Sequence, residues 1–145
     1  MITRRMRTTA ALAAGGGLAA LLAGCSMDAA MMDTVMWGPE GARVISTTDA
    51  LIAAAAAGDG AAMNCADSVA EFGDAEHWQG LQSGEPESFR AGYWEQQAAL
   101  KPTWNINLEY SGATAEPGES FPSDVFYQRS GDGLCVVDVA WSTRG

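Results

Sequence analysis

Residues 103–111 read TWNINLEYS. Trp104, Ile106, Leu108 and Tyr110 alternate with Thr103, Asn105, Asn107, Glu109 and Ser111. A period of two puts one set of side chains on each face of an extended chain, which predicts a half-buried strand. Downstream the signal repeats. Val125 to Arg129 reads as a strand, Gly131-Asp132-Gly133 as a tight turn, and Leu134 to Trp141 as the returning strand. Strict alternation puts Cys135, Val137, Val139 and Trp141 on one face of that strand and Asp138 on the other. Gly112 to Ser123, with Glu116-Pro117-Gly118-Glu119 inside it, reads as a polar loop. The C-terminal part is therefore expected to be an antiparallel meander.

Upstream the period changes. Ser46 to Ala57 is expected to be a helix: Ser46 and Asp49 have capping-box spacing, Ala53 to Ala57 are strong helix formers, and Gly58 supplies a stop. Asp59 then caps a short second helix through Ala61, Ala62 and Met63 towards Cys65. Asp67 to Gly84 suggests a broken helix and loop. Pro86 suits the first turn of a further helix, Glu87 to Leu100, with Phe89, Tyr93 and Leu100 on one side, Trp94 beside them and Pro102 at its end. Helices followed by a meander predict an α+β fold, with N-terminal helices packed on a curved antiparallel sheet in one domain over residues 42–145. Ser26 to Gly41 shows no clear period and contains Met27, Met31, Met32 and Met36. Residues 25–41 therefore read as a flexible tether, the other reading being an adaptable Met-rich binding surface.

The N-terminus has three zones. Arg4, Arg5 and Arg7 precede an uncharged Ala/Leu/Gly run from Thr8 to Leu22, which ends at Ala23, Gly24 and Cys25. A basic start, a short apolar run and small residues at a cut site form an export signal over residues 1–24. The run is too short and Gly-rich for a spanning helix, which needs about 20 strongly apolar residues. Leu22-Ala23-Gly24-Cys25 resembles a bacterial lipobox. That resemblance implies a diacylglyceryl group on the Cys25 thiol, cleavage just before Cys25, and acylation of the new amino terminus. Each buried CH₂ contributes about 0.8 kcal/mol, and two chains suffice for stable anchoring. The expected location is the outer face of the cell membrane, with the membrane itself a partner through the lipid. Thr3-Arg4-Arg5 also resembles the start of a twin-arginine signal, although Met6 and Arg7 depart from it, which favours the general secretory route.

Cleavage before Cys25 leaves Arg43, Arg90, Lys101, Arg129 and Arg144 against 18 acidic residues, a net charge of −13. So acidic a chain lacks the cations that nucleic-acid phosphates and anionic headgroups require. With Cys25 lipidated, Cys65 and Cys135 remain. An even remainder in an oxidising compartment suggests one disulfide, the other readings being two buried thiols or a metal pair. The one histidine, His77, has no ligand cluster around it, so no metal or other cofactor is expected.

Ala50 to Cys65, an Ala-rich helix followed by Gly58-Asp59 and a second short helix, resembles the opening of NTF2-like (cystatin-like) domains. The resemblance implies helices packed into the concave face of a curved antiparallel sheet. As a whole the chain resembles the small lipoproteins of actinobacteria, a likeness that carries no catalytic residues. His77, next to Glu76, is a candidate acid/base residue by type, yet a lone histidine in a Gly/acid-rich loop is more often solvated. Asp138 is either a pocket carboxylate with a raised pKa or an ordinary water-facing residue. Trp104 and Trp141 fit a core, whereas Trp78 and Trp94 suit either a core or a ligand pocket. Two functions are consistent with these residues. One is a non-catalytic binding or scaffold module at the envelope, for a protein, a peptide or a small apolar ligand. The other is a small NTF2-like hydrolase or isomerase acting on an apolar small molecule, with a pocket built from His77, Asp138, Trp78 and Trp94.

Overall fold

The computed structural model describes residues 28–110 and 116–145. Cys25 and the residues assigned to the export signal lie outside that range, as does Ser111. The described chain forms one long helix, α1 (Ala29–Ala56), and four strands: β1 (Leu81–Ser88), β2 (Trp104–Tyr110), β3 (Ser120–Ser130) and β4 (Gly133–Thr143). The strands form one antiparallel sheet in the order β1-β2-β3-β4. A helix packed on an antiparallel meander is the expected α+β arrangement. Among the described residues, no helix is long and apolar enough to cross a membrane.

The helix starts at Ala29, well before the expected Ser46. Ser46 does not cap it. Its hydroxyl donates to the Arg43 carbonyl at 3.1 Å, and Thr48 likewise donates to the Val44 carbonyl at 2.7 Å. These hydroxyls return to the preceding turn, so a cap-like pattern sits in a helix interior. Gly38, at φ 73° and ψ 174°, interrupts the helix just before Pro39. Proline disfavours helical geometry in the residue before it, and glycine adopts the left-handed φ at no steric cost. The segment read as an aperiodic tether is thus helical from Ala29, and it leaves Met31, Met32, Val35 and Met36 exposed. Beyond the kink, Val44, Ile45, Thr48, Leu51, Ile52 and Ala55 form a buried stripe at helical spacing.

That stripe packs on Ile106, Leu108, Val125, Tyr127, Val136 and Val139. Tyr127 is fully buried, and its hydroxyl lies 2.8 Å from the Thr48 hydroxyl. Thr48 already spends its proton on Val44, so Tyr127 is the donor. Burial pushes the Tyr127 phenol well above its usual pKa.

Two expected elements are corrected. The helix expected over Glu87 to Leu100 is absent. β1 occupies residues 81–88, turns follow, and a single 3₁₀ turn covers Ala98–Leu100. Pro86 lies in β1, an edge strand beside a register shift, where a missing N–H is tolerated. Tyr93, expected on the buried side, is 75% exposed. In residues 67–84 the one helical turn is 3₁₀, Ala75–Trp78, and β1 begins at Leu81.

The single face expected for Cys135, Val137, Val139 and Trp141 is also corrected. Tyr127 pairs with Val136 and Phe126 with Asp138, leaving Val137 as an extra residue in a bulge. An inserted residue shifts the phase of alternation. Leu134, Val136, Val139 and Trp141 therefore belong to the helix-side cluster.

The Cys65–Cys135 pair is bonded, with Cα atoms 4.9 Å apart. Hydrogen bonds flank it: the Cys65 N–H donates to the Val136 carbonyl and the Val69 N–H to that of Val137, both at 2.9 Å. The bridge and these bonds hold residues 64–69 along the free edge of β4. An edge so covered cannot template pairing with another chain.

Candidate functional site

The sheet has two unlike faces. The register pairs Glu87 with Asn105, Asn105 with Phe126, Phe126 with Asp138, Asn107 with Asp124, and Asp124 with Ala140. Cross-strand partners share a face, so these residues line the side turned away from α1. Residues 89–100 cover part of it. Phe89 and Trp94 both pack edge-on against buried Phe126, with ring centroids 6.1 and 4.9 Å apart. Gln97 is buried and donates from Nε2 to Asp138 Oδ2 at 3.1 Å.

The four residues read as pocket candidates separate. Trp78 is fully buried in the helix-side core. Its indole N–H donates to the Phe72 carbonyl at 2.7 Å, and its ring packs on Phe72 at 5.6 Å. It is a core residue, which corrects the pocket reading for Trp78. His77 packs edge-on against Trp141 at 5.3 Å, in a shallow groove lined by Glu71, Gly73, Asp74 and Ser120. Its Nδ1 is buried without a partner among the described residues. Asp138 lies on the outer face, fixed by Gln97 and by the Val139 N–H, which donates to its Oδ1 at 2.9 Å. No hydrogen bond or ion pair joins His77 to Asp138, so the acid/base pair required by the enzyme reading does not assemble from these two.

Trp94 has a different position. It is half-buried and lines a cleft of about 290 Å³ together with Glu85, Glu87, Asn105, Asn107 and Asp124. A second cleft, about 480 Å³, adjoins it, shares Trp94 and Asp124, and extends along Gln97, Ser123 and Ala140. Sequence reasoning named Trp94 and missed the other residues of the smaller cleft. The available signal is the Asn105/Asn107 alternation on β2, which by itself marks only the second face of a half-buried strand.

The local backbone builds this cleft. At the register shift between Ser83 and Pro86, the Glu85 N–H donates to Asn107 Oδ1 at 2.7 Å, and Asn107 Nδ2 donates to Glu109 at 3.3 Å. A Cβ on Gly84 would lie 2.5 Å from both terminal atoms of Asn107, so this close approach needs glycine. Glu85 and Glu87 line the cleft with Asp124. Burial raises the Asp124 carboxyl above its usual range; the Ser123 hydroxyl opposes that rise and the Glu87 charge adds to it. Among the described residues, no group of three or more His, Cys, Asp or Glu side chains is arranged to hold a metal ion.

Compared with known proteins, the chain matches no family model, no curated protein and no solved structure.

Proposed function

We propose that this protein is a lipid-anchored extracytoplasmic binding module, held at the outer face of the cell membrane by lipid on Cys25. The observation that carries the binding role is the polar cleft beside Trp94. The helix-side face is filled by side chains, whereas the outer face leaves a concave, amide- and carboxylate-lined surface next to a half-buried indole. Preformed concave sites with a few convergent polar groups are the usual form of a ligand site.

Support for the location comes from the N-terminal sequence Leu22-Ala23-Gly24-Cys25 and from the Cys65–Cys135 bond, which suits an oxidising compartment. Nine helical residues from Ala29 to Trp37 extend roughly 14 Å and act as a short stalk between the lipid and the domain. The net charge of −13 keeps the domain off anionic headgroups. One helix ahead of a four-strand meander is also in keeping with the cystatin-like form of the NTF2-like plan, our finer reading of the fold.

Mass spectrometry of the mature protein tests the anchor. The expected result is a chain beginning at a diacylglyceryl-modified Cys25, and unmodified Cys25 or cleavage elsewhere refutes it. Photocrosslinking in intact cells from residue 94 tests the binding face. A discrete adduct that is lost on blocking the cleft supports the proposal, and crosslinking to solvent alone refutes it.

A further inference from the structure

Three polar side chains are buried among the described residues: Thr48, Gln97 and Asn105. Thr48 is satisfied by the Val44 carbonyl and Tyr127, and Gln97 by Asp138. Asn105 is only 3% exposed, and its carboxamide has no hydrogen-bond partner among the described residues. It lines the 290 Å³ cleft instead. The polar atoms of this amide keep a small contact with the cleft instead of being sealed in the core, so they are open to a polar ligand.

The rest of the lining states the charge of that partner. Glu85, Glu87 and Asp124 are all acidic, and no cationic side chain lines the cleft. Arg90 stacks over Tyr93 at 5.9 Å in a groove that shares Glu87 with the cleft. Asp124 is partly desolvated and repelled by Glu87, with the Ser123 hydroxyl offsetting part of this. Trp94 supplies the aromatic wall that an organic cation favours. The carboxylates do not converge on one point that would suit a metal ion. Glu85 and Glu87 are two residues apart on β1, roughly 7 Å along a strand, and Asp124 lies two strands away. Acceptors spread in this way match a planar group with several outward N–H donors.

We infer that the cleft between Trp94 and Asn105 binds a small organic cation through a guanidinium group, with Asn105 Oδ1 and the Asp124 and Glu87 carboxylates as acceptors. This rests on the binding-module reading and names its ligand class. The cation neutralises Asp124 and occupies the free acceptor of Asn105. Affinity should fall as salt rises, because the site is partly open to solvent.

The test uses the full chain, isotope-labelled in detergent micelles, and follows the Asn105 side-chain amide resonances. L-argininamide is titrated against its neutral isostere, L-citrullinamide, with calcium chloride as a separate arm. Saturable shifts with argininamide, and none with the other two, are expected. Asp124→Asn should weaken binding about tenfold while leaving the domain folded, because it removes a carboxylate that the fold disfavours. Asn105→Ala, followed at the Trp94 indole resonance on the wall of the same cleft, should weaken it by a similar factor. Equal response to citrullinamide, a response to calcium at the same resonances, or full affinity in Asp124→Asn would overturn the inference, as would no response to argininamide. Mass spectrometry at Cys25 reads the anchor independently, so a silent titration removes the cation site and leaves the anchored reading intact.

Discussion

The two faces of the sheet are built from the same strands and differ in what covers them. The inner face meets the continuous stripe Val44, Ile45, Thr48, Leu51, Ile52 and Ala55 of α1, whose regular spacing lets side chains interdigitate. The outer face is covered by turns between Phe89 and Leu100, which supply two aromatic contacts to Phe126 and one amide contact to Asp138. A regular element fills a surface, whereas an irregular one seals it in places and leaves openings. The cleft beside Trp94 is such an opening. The tryptophans make the same point: Trp78, under the helix, is fully buried, and Trp94, under the turns, is half-buried.

This contrast sets an order of expected effects. Trp78→Ala should be the most damaging change, at about 3–5 kcal/mol, because it empties a fully enclosed site and orphans the Phe72 carbonyl. Trp94→Ala should cost much less and chiefly affect ligand binding. Denaturant unfolding of the two variants measures the difference, and equal losses would erase the distinction between the faces.

The disulfide comes next. Cys65→Ser with Cys135→Ser should cost about 2–4 kcal/mol, because the bond closes a 70-residue separation and pins a segment to the β4 edge. Thermal unfolding with and without reductant checks this. Early hydrogen exchange at Val69, whose N–H bonds the Val137 carbonyl, would locate the loss at that edge.

Tyr127→Phe should cost about 1–2 kcal/mol by removing the donor to Thr48 within the inner core. Far-ultraviolet circular dichroism should show an unchanged fold. A neutral effect would mean that this hydrogen bond adds nothing to the packing.

The smallest effect is on the outer face and has the opposite sign. Burial raises the Asp124 pKa, so between its unfolded and folded values the native state binds more protons than the unfolded one. Asp124 therefore opposes stability above its folded pKa, and the opposition fades as pH falls through the folded and then the unfolded value. Asp124→Asn should raise the melting temperature slightly at neutral pH and leave it unchanged in strong acid. A gain in stability with a loss of cation affinity is the mark of a residue kept for binding. Lower stability at neutral pH would mean that the carboxylate is structural.

Much of the fold was legible because local patterning and tertiary demand agree. The alternation in TWNINLEYS gave β2, and Gly131-Asp132-Gly133 gave the β3–β4 turn. The sequence suggests a helix over Glu87 to Leu100 because Phe89, Tyr93 and Leu100 fit one side of a helical wheel, whereas Phe89 and Trp94 instead reach one residue, Phe126, on a distant strand. The tether was misread because an exposed helix needs no apolar period to declare itself. The candidate site was the least legible part. Trp94 was noticed as an aromatic, but Asn105 and Asp124 look like the solvated half of a strand until β1, β2 and β3 are side by side.

The sequence alone determined the acidic balance, the lipobox-like N-terminus, the even pair of cysteines and the meander, because each depends on composition or on neighbours a few residues away. The tertiary structure alone decided which face of the sheet is filled, the bulge at Val137 that reverses the phase of β4, the separation of His77 from Asp138, and the opening at Asn105. Those features depend on register and on contacts between residues far apart in the chain, and one strand's pattern is the same whether its polar face meets water, a covering loop or a ligand.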